Sequence, residues 1–174
     1  AFVPFFYYHF ESFIMTSLIF MSIVYFFSEL LRLKGLRVPV ISTVTELAAR
    51  ERDCGNIILG PITLSVGIFL SLIFFDYRVA VISIYALAFG DGVASLFGKT
   101  IGGVQIPFTF GKTLSGTLGC FAVLFLVFFA CGLTRSQAIS LALFAALVEA
   151  FPTGDFDNLL IPVATGVLAQ NFIL

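Results

Sequence analysis

Six apolar stretches, at roughly 10–31, 55–75, 79–98, 113–133, 137–151 and 158–174, leave this chain few ways to fold. A bilayer core of ~30 Å takes ~20 apolar residues per helix, so such runs between short polar turns read as membrane-crossing helices. Of 174 residues, 60% are hydrophobic and 11% charged, against about 25% charged in a soluble domain. The expectation is an all-α integral membrane protein. It forms one domain over residues 1–174, a polytopic bundle of about six transmembrane helices. The net charge of −1 offers no field to attract nucleic acid. Cys54, Cys120 and Cys131 stand apart without metal-ligand spacing and read as small apolar filler. The first residues lack the basic n-region and small-residue cleavage site of a signal peptide. The chain starts at Ala1 rather than Met, so an upstream piece with one further helix is expected.

Polar turns at 76–78 and 134–137 make hairpins of the second and third spans and of the fourth and fifth. Seven of the 9 basic residues (Arg32, Lys34, Arg37, Arg50, Arg52, Lys99 and Lys112) fall on one side, and Arg78 and Arg135 on the other. That excess places the first side in the cytoplasm, in a bacterial cell membrane or in the endoplasmic reticulum or another organelle membrane. In the first cytoplasmic loop, Thr43 and Glu46 have capping-box spacing, and Glu46 can pair with Arg50 one turn on. This segment reads as a short amphipathic helix on the membrane surface.

The string GDGVASLFGKTIGG, Gly90 to Gly103, interrupts the apolar pattern of the third span. Asp91 lies about 10 Å along the helix from Gly98, and a carboxylate at such depth is costly unless it is paired, metal-bound or hydrated. Asp91, Ser95, Gly98 and Gly102 share one small, polar face if the helix continues, and a ligand can approach backbone closely there. A small-residue packing seam is the competing reading, but a seam does not need the acid. Lys99 and Lys112 bracket the next loop, and Thr113 and Ser115 offer hydroxyls where the fourth span begins. Orphan N–H groups, the helix dipole and a lysine suit phosphate, although lysines at membrane ends also serve as snorkelling anchors. The GKT at 111–113 is no P-loop, because Ile106 stands where that motif needs glycine.

A second polar group closes the fifth span: Glu149, Asp155, Asp157 and then Asn158. Its three carboxylates have almost no cation nearby in sequence and repel one another unless they share one. Hard oxygen ligands of this kind suit Mg²⁺ with phosphate completing the shell. Asp155 and Asp157 also fit a solvated turn with a helix cap. Glu29, three residues before Arg32, reads as an ion pair, while His9 and Glu11 carry no assignment. One face thus gathers Asp91, Glu149, Asp155 and Asp157 as metal or base groups, with Lys99 and Lys112 for phosphate. Phosphoryl or nucleotidyl transfer needs that equipment.

From Asp91 to Gly116 the pattern D-x-x-A-x-x-x-G-x-x-x-G, eight further residues and GKTLSG resembles the nucleotide-binding signature of the CTP-dependent lipid kinases. That family includes dolichol, phytol and CTP-dependent diacylglycerol kinases. The matching positions are Asp91, Ala94, Gly98, Gly102, Lys112, Thr113 and Gly116. Gly111 and Ser115 depart from the K-K-T-x-E-G form of dolichol kinases. The resemblance extends to ELAARERDCGNIILGP, with Arg50 and Glu51, and to EAFPTGDFDNLLIP, with Asp155, Asp157 and Asn158. An earlier Arg-Lys and histidine segment, usual in the family, is not found, which again points upstream.

The resemblance implies transfer of the γ-phosphoryl group of CTP, with Mg²⁺, to the hydroxyl of diacylglycerol, phytol or a polyprenol. Asp91, Glu149 and Asp155 are its catalytic candidates, and Asp91, Asp155 and Asp157 its metal ligands. Ala94, Ser95, Gly98, Lys99, Gly102, Lys112, Thr113, Ser115 and Gly116 are its nucleotide contacts. Phosphatidate cytidylyltransferases, which bind CTP in a related membrane fold, come second, because GDFDN lacks the histidine and arginine of their signature. An ion-coupled transporter comes third. It explains Asp91 and Glu149 but predicts inverted repeats, and the glycine string has no second copy.

Overall fold

The computed structural model describes residues 2–36, 57–109 and 111–173. The amphipathic segment around Thr43 and Glu46, with Arg37, Arg50, Glu51, Arg52 and Cys54, lies outside the described residues. Within them the chain is all-helical, with seven α-helices and no strand. These are α1 (Val3–His9), α2 (Glu11–Leu33), α3 (Gly60–Phe74), α4 (Tyr77–Thr100), α5 (Leu114–Ala130), α6 (Arg135–Ala150) and α7 (Asp157–Ile173). Helices α2 to α7 follow the six apolar stretches. The short α1 was not anticipated; it starts on Pro4, suited to a first turn, and its Pro4 carbonyl accepts the Tyr77 hydroxyl at 3.1 Å.

Local chemistry sets the ends of these helices. Pro61 opens α3. Thr134 caps α6 through a capping box with Gln137, and Gly132, at φ +89°, turns the chain out of α5. The α3–α4 and α5–α6 turns form where the polar residues predicted them. The Glu29 pair is also present: its carboxylate takes Arg32 at 2.6 and 2.9 Å. It accepts the Ile58 N–H as well, at 2.8 Å, which ties the end of α2 to the approach to α3.

Helix α4 runs through the middle of the bundle, packed on α5, α6 and α7. Val79, Ile84 and Leu87 of α4 are buried with Leu124 and Phe128 of α5, Leu141 of α6 and Ile161 of α7. Four buried alanines (Ala138, Ala142, Ala145 and Ala146) let α6 lie close to its neighbours. Cys120 is fully buried in this core, as filler should be. Large apolar side chains instead face outward on α2 (Phe13, Phe20, Met21) and on α5 and α6 (Leu118, Leu126, Leu147). Helices α2 and α4 are long and apolar enough to cross a membrane, whereas α3 and α5, with 15 and 17 residues, are apolar but shorter.

A close crossing joins α3 to α7. Pro162, inside α7, has no N–H to give the Asn158 carbonyl one turn back. Gly67 lies against that carbonyl, and a Cβ there would overlap Asn158 O and come within 3.1 Å of the Pro162 ring. Gly67→Ala should therefore destabilise the protein by about 1–3 kcal/mol. Gly92→Ala, where an added Cβ meets nothing within 4 Å, should be neutral or stabilise by up to about 1 kcal/mol. Unfolding of the two variants in detergent checks this contrast.

Candidate active site

Helix α4 changes character where the glycine string begins. Residues Ala86–Asp91 form a π-helical segment ending on Asp91, and the regular α-helix resumes at Gly92. A π turn holds one residue more than an α turn, so it re-aims the face that follows, and such turns are frequent at functional sites. From there Asp91, Ala94, Ser95, Gly98 and Lys99 form one wall of a cavity of about 340 Å³. Gly111 and Lys112 of the α4–α5 loop and Thr113, Gly116 and Thr117 of α5 form the second wall. Glu149, at the end of α6, and Gly154 and Asp157, before and at the start of α7, close it.

The glycines serve helix approach as much as ligand approach. A Cβ on Gly116 would stand 2.7 Å from the Ala94 carbonyl, and one on Gly98 3.0 Å from Thr113 Oγ1. The seam and the site are therefore one structure. The expected continuous face, however, stops short of Gly102, because α4 ends at Thr100. Gly102 and Gly103 take left-handed conformations, φ +65° and +111°, that turn the chain back. Gly102 and Ser115 do not line the cavity; the Ser115 hydroxyl donates to the Gly102 carbonyl and fastens the loop.

That loop is a narrow hairpin. Ile106 N–H donates to the Lys112 carbonyl at 2.9 Å and Leu114 N–H to the Val104 carbonyl at 3.0 Å, which aligns Gln105 with Thr113. Thr113 caps α5, taking the Gly116 N–H on its hydroxyl at 3.2 Å, while its carbonyl takes the Thr117 N–H at 3.1 Å. The N–H groups of Leu114, Gly116 and Thr117 are thus already bonded. Fewer donors are therefore left over at this helix start than the sequence led one to expect. The cavity wall also carries side-chain donors, Lys99, Lys112 and Ser95.

Lys112 also supplies the cation that the acidic residues lack in sequence. Its Nζ lies 2.8 Å from Glu149 Oε1 and 3.6 Å from Asp157 Oδ2, and it also donates to the Glu149 carbonyl. Glu149 and Asp157 are both buried, at 5% and 6% exposure, so this ammonium offsets much of their charge where water cannot. Asp155 sits half-buried in the 3-10 turn before α7 and does not line the cavity. Asn158 is not among the lining residues and braces helices, donating from Nδ2 to Gly60 O and Thr63 Oγ1, each at 3.3 Å. Among the described residues no three of His, Cys, Asp or Glu stand close enough together to hold a metal by themselves.

Sequence reasoning missed three lining residues, Gly111, Thr117 and Gly154. Thr117 follows Thr113 by four residues, so helical spacing alone would have placed it on the same face. A second cavity, of about 440 Å³, lies at the other end of the bundle between Arg78, Tyr85 and Gln137, and no carboxylate lines it.

Fold and site together define an all-helical bundle with a lysine- and carboxylate-lined cavity at one end. No protein-family model matches the chain, and no solved structure does. It is, however, similar to curated phytol kinases. It is 26% identical over 153 residues to the probable chloroplastic phytol kinase 1 of Oryza sativa subsp. japonica, a match covering 78% of this chain and 49% of that protein. The values for the chloroplastic phytol kinase 1 of Arabidopsis thaliana are 25% over 151 residues, 76% and 50%. For the probable phytol kinase of Zea mays they are 25% over 169 residues, 86% and 56%. The chain spans about half the length of the curated relatives it matches. These similarities agree with the resemblance to polyprenol and phytol kinases that the Asp91–Gly116 pattern carries.

Thr113→Ala should cost about 1 kcal/mol of stability through loss of the α5 cap. Thr113→Ser should recover most of it, as read from denaturant unfolding of the two variants.

Proposed function

We propose that this chain phosphorylates a membrane lipid alcohol, phytol or a related isoprenoid or diacylglycerol, with the γ-phosphoryl group of CTP. One observation carries the reading. Asp91, Ser95, Gly98, Lys112, Thr113 and Gly116, scattered over two helices and a loop, line the same cavity as the buried Glu149 and Asp157. The similarity to phytol kinases supports a lipid-alcohol acceptor, and the Asp91–Gly116 signature supports CTP as donor. In this reading α2 to α7 cross the membrane as a six-helix bundle, with the cavity at its cytoplasmic face. The outward apolar side chains of α2, α5 and α6 then meet lipid, which removes the exposed patch they would present to water.

The residues divide the work by chemistry. Lys99 and Lys112 would neutralise the phosphates as point charges, with the Ser95 hydroxyl donating beside them. Gly98 and Gly116 keep α4 and α5 close enough to form a narrow cleft. A magnesium ion binds through one or two carboxylates plus substrate phosphates, and Asp157, with Glu149 beside it or Asp91 on the facing wall of the same cavity, fits that need. Bound there it would supply charge neutralisation at the transferring group. Asp91, or alternatively Glu149, would accept the proton of the lipid hydroxyl, which would arrive laterally between helices.

Protein in lipid vesicles, given γ-labelled or α-labelled CTP with phytol, diacylglycerol, a polyprenol or phosphatidate, tests the reading. The expected outcome is γ-label in a lipid alcohol, lowered about a hundredfold or more by Asp91→Asn. Lipid label from the α position, with phosphatidate as acceptor, would instead mean cytidylyl transfer. No label from either position would overturn both.

A further inference from the structure

The position between Glu149 and Asp157 is already held by a cation, and that cation belongs to the chain. Lys112 Nζ sits 2.8 Å from one carboxylate and 3.6 Å from the other, with side-chain exposures of 18% for Lys112, 6% for Glu149 and 9% for Asp157. Lys99 lines the same cavity but makes no ion pair among the described residues. The two lysines therefore start from different states: one committed to carboxylates, the other not.

An ammonium on a flexible four-carbon stem can change partners without backbone movement. A divalent cation and that ammonium cannot both occupy the short gap between the same buried carboxylates. Phosphates entering the cavity offer Lys112 a second set of anionic oxygens. A cation travelling with those phosphates offers the carboxylates a replacement for Lys112.

We propose that Lys112 is an exchange residue. Without ligand its ammonium fills the cation position between Glu149 and Asp157. With a triphosphate bound, Lys112 moves to the phosphate oxygens and the two carboxylates receive the accompanying divalent cation. This deepens the phosphoryl-transfer reading and rests on it for the identity of the ligand. The place of the ammonium in the ligand-free protein rests on the geometry alone. Cation and ammonium then compete for one position, and by linkage whatever removes the ammonium must raise cation affinity.

The test uses the full chain in detergent without nucleotide, with Mn²⁺ as the probe and free Mn²⁺ read by electron paramagnetic resonance. Lys112→Met should bind Mn²⁺ about tenfold more tightly than the unmutated protein, while Lys99→Met should change it by less than about threefold. Adding Asp157→Asn to Lys112→Met should abolish the gain. Equal tightening by both lysine variants would reveal a general field effect and overturn the proposal.

Removing Lys112 leaves buried carboxylates without their counter-charge and threatens folding, so the unmutated protein supplies a second reading. Saturating Mn²⁺ should increase amine-reagent labelling of Lys112, but not of Lys99, in mass spectra. Unchanged labelling of Lys112 would overturn the exchange. Exchange without lipid phosphorylation would retire the kinase reading and leave the exchange standing. Phosphorylation without exchange would do the reverse.

Discussion

The ion pair between Lys112 and Glu149 is the contact on which this end of the molecule depends. Buried carboxylates are costly, and removal of either partner from such a pair is far more damaging than its presence is stabilising. Lys112 precedes the first turn of α5, Glu149 lies in the last turn of α6, and Asp157 opens α7. One side chain thus holds three elements at fixed separation, and the cavity is the space it leaves against α4. The hairpin bonds of Ile106 and Leu114, the Thr113 cap and the Ser115–Gly102 bond all serve to deliver that lysine.

Close helix approach is the second constraint, and glycine provides it. Gly116 against Ala94, Gly119 against Phe97 and Gly67 against Asn158 are places where a methyl group would enter occupied space. In a bundle with few polar side chains to orient its helices, such contacts fix how the helices cross. The signature glycines therefore combine two roles, since the packing that seats α5 on α4 also forms the wall of the cleft.

Apolar run length was enough to place α2 to α7 within a few residues, because burial and lipid exposure both select the same side chains. Helix α1 escaped notice since its seven residues merge into the apolar N-terminal run without a period of their own. The π segment ending at Asp91 has no compositional mark, and it shifts the face on which that acid sits. Gly102 looked like the next step of a helical face, yet its left-handed backbone belongs to a turn. The Lys112–Glu149 pair joins residues 37 apart, so the acidic group looked devoid of cations when read locally. Asn158, part of the acidic segment in sequence, braces helices through Thr63 and Gly60, almost 100 residues away.

What emerges is a site whose buried carboxylates are partly offset by the chain's own lysine before any ligand arrives, set at one end of an apolar bundle. That arrangement suits a ligand bringing both anionic oxygens and a cation, and the central claim is that the phosphates of a nucleoside triphosphate bind there. A structure of the chain bound to a non-hydrolysable CTP analogue and Mg²⁺ is its most direct test. The account predicts phosphate density between Asp91, Ser95 and Lys112, at hydrogen-bonding distance from the lysine. Phosphate density in the cavity beside Arg78 at the opposite end, with Lys112 still on Glu149, would contradict it.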